Sequence, residues 1–163
     1  MARPLSGGVA GVLAGMAGAT ALNAVTYLDQ AARGRPAGDT PGQTVNALAD
    51  TAGVDVPGNA EERQNRLEGL GPLAGLAVGM GVGALSGLLR GFSIKVPKAV
   101  AAVAVGLGAM AVSDSTMAAL GISDPRSWTP SSVAMDAIPH LAYGAVTVAT
   151  LHRLLDPRTP HVR

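Results

Sequence analysis

An all-α integral membrane bundle of four transmembrane helices, with a short helical extramembrane loop, is the fold class this sequence predicts. Three observations carry it. Of the 163 residues, 48% are hydrophobic and only 14% charged, whereas a soluble domain covers its surface with about 25% charged residues. The apolar content is mostly Ala, Val and Leu, diluted by 22 Gly, with one Trp, two Tyr and one Phe, and the mean hydropathy is +0.32. Long apolar windows, two of them free of charge and two interrupted by an Asp, recur four times along the chain, each near the length that crosses a bilayer.

The windows run over residues 4–28, 69–89, 99–122 and 130–151. The first two hold no ionisable side chain. The third contains Asp114, and the fourth contains Asp136 and His140. An ionisable group near a helix centre costs about 2.5–3.5 kcal/mol on insertion scales. The expected spans are therefore 6–28, 70–90, 98–120 and 130–153, with an outer loop over 29–69, and residues 1–163 form one membrane domain. A cleavable signal peptide over residues 1–21 is the competing reading for the first window, but the uncharged run continues past an ordinary signal core.

Orientation follows the Lys and Arg flanks. Arg3, Arg90, Lys95, Lys98, Arg153, Arg158 and Arg163 fall on one side, and Arg33, Arg35, Arg63, Arg66 and Arg126 on the other. This bias places both termini in the cytoplasm of a multi-pass protein of the cell (inner) membrane. Tyr27 and Trp128 then sit at the outer boundary and Phe92 at the inner one, as interfacial anchors.

The outer loop carries two helix signals. Thr40-Pro41-Gly42-Gln43 reads as a capping box that opens a helix over 41–52, closed by Gly53. Asn59 with Glu61 and Glu62 opens a second segment, which Gly69-Leu70-Gly71-Pro72 should break or kink.

Glycine spacing sets the expected packing. Gly71, Gly75, Gly79, Gly83 and Gly87 recur every four residues in span two, extended by Gly91, and Gly7, Gly11 and Gly15 do so in span one. Each row makes a flat helix face on which a second backbone can lie. The occupant is either the other span of the same chain or a second subunit. A weak parallel repeat relates the two halves, with Asp39-Thr40-Pro41 matched by Asp124 ahead of Thr129-Pro130.

Polar groups enter the bilayer at one level. Asp136, His140, Tyr143 and Thr147 share a helical stripe on span four, Thr20, Asn23, Tyr27 and Gln30 form one on span one, and Ser113, Asp114 and Thr116 interrupt span three. Asn23, Asp114, Asp136, His140 and Tyr143 are thus the candidate intramembrane cluster. It reads either as a structural knot or as a proton- or cation-handling site. Catalytic residues, metal ligands and cofactors are not expected. The chain has no cysteine, which excludes disulfides, thiolate metal sites and a thiol nucleophile. Phosphate loops and dinucleotide fingerprints are missing. A net charge of +1 speaks against nucleic acid as a partner. The expected partners are the lipid bilayer and either a second copy or another membrane subunit.

The segment from Ala21 to Asp29, with Arg33-Gly34-Arg35-Pro36, Asp124-Pro125-Arg126-Ser127-Trp128 and Pro139-His140-Leu141-Ala142-Tyr143-Gly144, resembles a group of small multi-span membrane proteins of high-GC actinobacteria. The resemblance implies a multi-span membrane fold and carries no activity. The functional expectation is a structural or accessory membrane protein, self-associating through its glycine faces. The alternatives are a small proton or cation carrier, and a membrane enzyme acting on a lipid or envelope precursor.

Overall fold

The computed structural model describes residues 4–90 and 96–156. Arg3, Gly91, Phe92, Lys95, Arg158 and Arg163 lie outside them. The described residues form five α-helices and no strand: α1 (Pro4–Arg33), α2 (Thr40–Thr51), α3 (Ala60–Arg90), α4 (Lys98–Ala119) and α5 (Pro130–Leu155), with a 3-10 turn at Pro125–Ser127.

The helix starts follow local chemistry, with two corrections. Asn59 caps α3 reciprocally: its Oδ1 accepts from the Glu62 amide at 3.0 Å and its amide donates to Glu62 Oε2 at 3.0 Å. Thr129 and Ser132 form the same device at α5, ahead of Pro130 in the first turn. The expected Thr40 box at α2 does not form. Asp39 occupies the cap position without a side-chain bond, because Thr40 has already joined the helix and its carbonyl accepts the Thr44 hydroxyl at 2.9 Å. The expected break at 69–72 is also absent, and α3 runs through Pro72 without interruption. Tertiary contact holds it: α2 docks at this level, where a Cβ on Gly71 would stand 2.8 Å from the Gly42 amide nitrogen. Span two is therefore the later part of a helix that begins at Ala60, and the outer loop is largely helical.

Helix packing is set by backbone contact. Gly7 faces Gly87, Gly11 faces Gly83 and Gly15 faces Gly79, so α1 and α3 run antiparallel with their glycine rows in register. A Cβ on Gly7 would lie 2.5 Å from the Gly87 carbonyl oxygen, and one on Gly11 would lie 2.9 Å from Ala84 Cα. Such distances are reached only where neither helix carries a side chain. Gly71 serves α2 instead of α1, and Gly75 has nothing near it. The second half repeats the scheme: a Cβ on Gly106 of α4 would stand 2.6 Å from the His140 carbonyl oxygen of α5, and Gly144 packs on Ala102 and Gly106. Ala10 and Ala14 of α1 meet Leu151 and Leu155 of α5. The helices therefore neighbour one another in the order α3, α1, α5, α4, with α3 and α4 touching lightly.

Successive long helices alternate in direction, so the start of α1 and the end of α5 share one end of the bundle. There Arg90 at the end of α3 bonds Asp156, and its Nη1 stands 2.8 Å from His152 Nε2. The opposite end holds α2, the 3-10 turn and an ion-paired corner, where Asp29 binds Arg33 at 2.7 Å and Arg35 at 2.9 Å.

Burial is inverted relative to a water-soluble bundle. Inside are Ala14, Ala19, Tyr143 and Thr147, while Leu5, Leu13, Leu73, Leu85, Val100 and Ile138 stand exposed. Water would penalise that arrangement; lipid tails accept it. Helices α1, α3 and α4 are long and apolar enough to cross a membrane. Although α5 has 26 residues, Asp136, Pro139 and His140 leave it less apolar, so the four expected spans reduce to three on this measure.

The glycine register makes a direct prediction. Gly83→Ala sets a methyl against the Gly15 backbone and should lower the unfolding free energy in detergent by about 1–3 kcal/mol, the usual cost of overpacking. Gly75→Ala, in open space, should stay within about 0.5 kcal/mol of the parent. Equal effects at both positions would contradict the interlocked register.

Candidate functional site

The polar stripe of α5 divides into two sites. The first is an acid–imidazole pair toward the end that holds α2. Asp136 and His140 are one turn apart, and His140 Nδ1 lies 3.2 Å from Asp136 Oδ1 and 2.9 Å from the Asp136 carbonyl oxygen. With acceptors on both, Nδ1 carries the proton and donates it to Asp136. Pro139 lacks an amide proton, which leaves the carbonyl one turn back without its helical donor and adds polarity at this level. The Asp136 side chain is 38% exposed while that of His140 is 11% exposed: the carboxylate opens outward and the imidazole backs it from within.

Asp114 reaches the same place from α4. It stands within electrostatic range of both Asp136 and His140, and with Asp136 it lines a cavity of about 260 Å³. Thr40 and Gln43 of α2 lie over this cavity. Its remaining walls are part apolar, with Met117, Val133 and the Trp128 indole among them. Trp128 is fixed by its own hydrogen bond, Nε1 donating to Ser123 Oγ at 2.9 Å. The three titratable groups do not form a ligand shell: among the described residues no group of three His, Asp or Glu is arranged to hold a metal ion.

The second site lies deeper and is a packing lock. Tyr143 is 1% exposed, and its hydroxyl donates to the Gly79 carbonyl oxygen of α3 at 2.6 Å. Its ring fills the notch between two glycines. A Cβ on Gly18 would lie 2.8 Å from Tyr143 Cδ2, and one on Gly79 would lie 3.4 Å from Cε2. Thr147, one turn on and fully buried, has a hydroxyl without a hydrogen-bond partner. Tyr143 thus joins α5 to α1 and α3 and closes the bundle beneath the acid–imidazole pair.

Of the five expected cluster residues, the structure brings Asp114, Asp136 and His140 together. Tyr143 shares their stripe but serves the lock. Asn23 does not join them: among the described residues it makes no hydrogen bond to Asp136 or His140. It lies five residues beyond Gly18, roughly 140° around α1 from the face that meets α5. Thr20 likewise turns back on its own helix, donating to the Met16 carbonyl at 3.0 Å. Sequence reasoning missed the two residues of α2 over the cavity and the place of Trp128 in its wall, since no local pattern links Gln43 or Trp128 to Asp114.

These features define the class: an all-α membrane protein with three helices that meet the length and hydropathy needed to span a bilayer. No family model, curated protein or solved structure matches the chain.

The lock is testable apart from the acid pair. Tyr143→Phe keeps the ring and removes the hydroxyl, and should cost about 0.6–1.7 kcal/mol of stability in detergent, the range for interhelical hydrogen bonds in membranes. Gly18→Ala should cost more, because it expels the ring. Unfolding followed by helical circular dichroism checks both, and an unchanged Gly18→Ala variant would remove the lock.

Proposed function

We propose that the chain is a four-span protein of the cell membrane, of structural or accessory type, with both termini in the cytoplasm. The observation that carries this reading is the closed interior, in which α1 and α3 touch backbone to backbone and Tyr143 fills the junction with α5. A bundle packed in this way holds its own shape and leaves its outer surface to lipid or to another subunit. Self-association through the glycine rows would require α1 and α3 to part, so the accessory role belongs to the single folded bundle.

The fourth span in this reading is α5. At 1.5 Å per residue, its 26 residues reach roughly 39 Å, beyond the about 30 Å of a hydrocarbon core. Asp136 and His140 within it pair with each other and lie near Asp114 of α4, as intramembrane polar groups do. By sequence, the flanks assigned to the inner end hold seven Lys and Arg and those assigned to the outer end hold five. This bias favours the stated orientation.

The cysteine-free chain suits an accessibility test. Single substitutions Asp55→Cys and Arg126→Cys should react with a membrane-impermeant maleimide in intact cells. Arg153→Cys should react only after permeabilisation. Labelling of Arg153→Cys in intact cells would invert the orientation, and equal labelling of all three without detergent would remove the membrane reading.

A second reading is favoured by the Asp136–His140 pair: proton or cation handling from the outer end. In proteoliposomes, a pH- or cation-driven flux above that of empty vesicles, abolished by Asp136→Asn or His140→Ala, is its expected signature. Flux equal to that of empty vesicles removes it.

A further inference from the structure

We infer that the cavity between α2, α4 and α5 is a binding site for a small organic ammonium ion entering from the outer end. The argument starts from charge. Asp114 and Asp136 both face this space, and among the described residues no Lys or Arg forms an ion pair with either. Their one basic neighbour is His140, which donates a single proton to Asp136 from beneath. Two acidic side chains facing one cavity, with Asp136 open to solvent at its rim, leave a space that draws positive charge.

Shape and wall chemistry narrow the class. A volume of about 260 Å³ exceeds what a bare metal ion fills and falls just under the usual range for drug-sized ligands, about 300–1,000 Å³. Met117, Val133 and Trp128 line the same cavity, which suits methyl groups and not a hydration shell. An indole is the best aromatic partner for an alkylated ammonium, and Ser123 holds this one in place. The cover is polar and uncharged, with Thr40 and Gln43 supplied by a helix that docks on α3 through Gly42 and Gly71. Anionic wall, indole face, apolar patch and neutral cover together fit an ammonium centre with small alkyl substituents. The inference stands on the cavity and does not depend on which side of the membrane it faces.

Trp128 is the one tryptophan of the chain, so the site carries its own reporter. The full-length protein in detergent or nanodiscs is titrated with tetramethylammonium chloride while its indole emission is followed. Sodium chloride at equal ionic strength and tert-butanol, a neutral molecule of similar shape, serve as references. The expected result is a saturable change with tetramethylammonium and none with either reference. Asp114→Asn combined with Asp136→Asn should weaken the response roughly tenfold or more. Gln43→Lys, on an exposed position of α2, should abolish it by placing a tethered ammonium in the cavity, and it tests the site even where the double variant does not fold. An equal response to tert-butanol or sodium overturns the inference. So does the lack of saturation, or a Gln43→Lys variant of normal helicity that responds like the parent.

Discussion

The structure depends on two helix backbones lying in contact. Along α1 and α3 the side chains that would separate the helices are missing at every turn of the shared face, and carbonyls of one helix rest on α-carbons of the other. In lipid no hydrophobic force drives two helices together, since the tails are as apolar as leucine. Close approach supplies dispersion and dipole contacts that a wider spacing forfeits. The large residues are then displaced outward, and this explains why Leu5, Leu13, Leu73 and Leu85 face the surroundings while Ala14 and Ala19 are enclosed. The α1–α3 distance also fixes the notch between Gly18 and Gly79 that accepts Tyr143. The position of α5, and the outer cavity with it, follows from that notch.

Helix α5 reconciles two opposed demands. It carries a polar stripe of Asp136, His140, Tyr143 and Thr147, yet it lies between α1 and α4. Each polar group is placed differently. Asp136 opens to solvent, His140 is hydrogen-bonded within its own turn, and the Tyr143 hydroxyl donates to the Gly79 carbonyl. The Thr147 hydroxyl is the exception, buried without a partner. Its cost is accepted at the tightest point of the bundle, where Gly18 presses against it and a larger side chain would not fit.

Much of this was legible in the residues, for a physical reason. A period of four in glycine is a local pattern, so the two flat helix faces were legible in the chain, whereas the register of Gly7, Gly11 and Gly15 on Gly87, Gly83 and Gly79 emerged only from the fold. The stripe that puts Asp136 over His140 was legible as well. What the sequence withheld depends on contact between distant segments. Pro72 reads as a helix breaker until α2 is docked beside it, and Thr40 reads as a cap until it is seen inside the helix. Asn23 belongs to a polar stripe, but the rotation of α1 that suits its glycines turns that stripe away from α5. Trp128 has the position of an interfacial anchor, and its place in a cavity wall emerges only when α2, α4 and α5 converge.

The spacing of the interlocked partners bears on how the chain is made. Gly7 meets Gly87, so the whole of α2 and the early turns of α3 are synthesised while the bare face of α1 is still unmatched. By contrast, Gly106 finds His140 across a short connection. During insertion the first helix waits in the bilayer with its backbone uncovered, whereas the later pair can zip together as soon as it emerges. The amino-terminal pair therefore closes a longer stretch of chain than the carboxyl-terminal pair does.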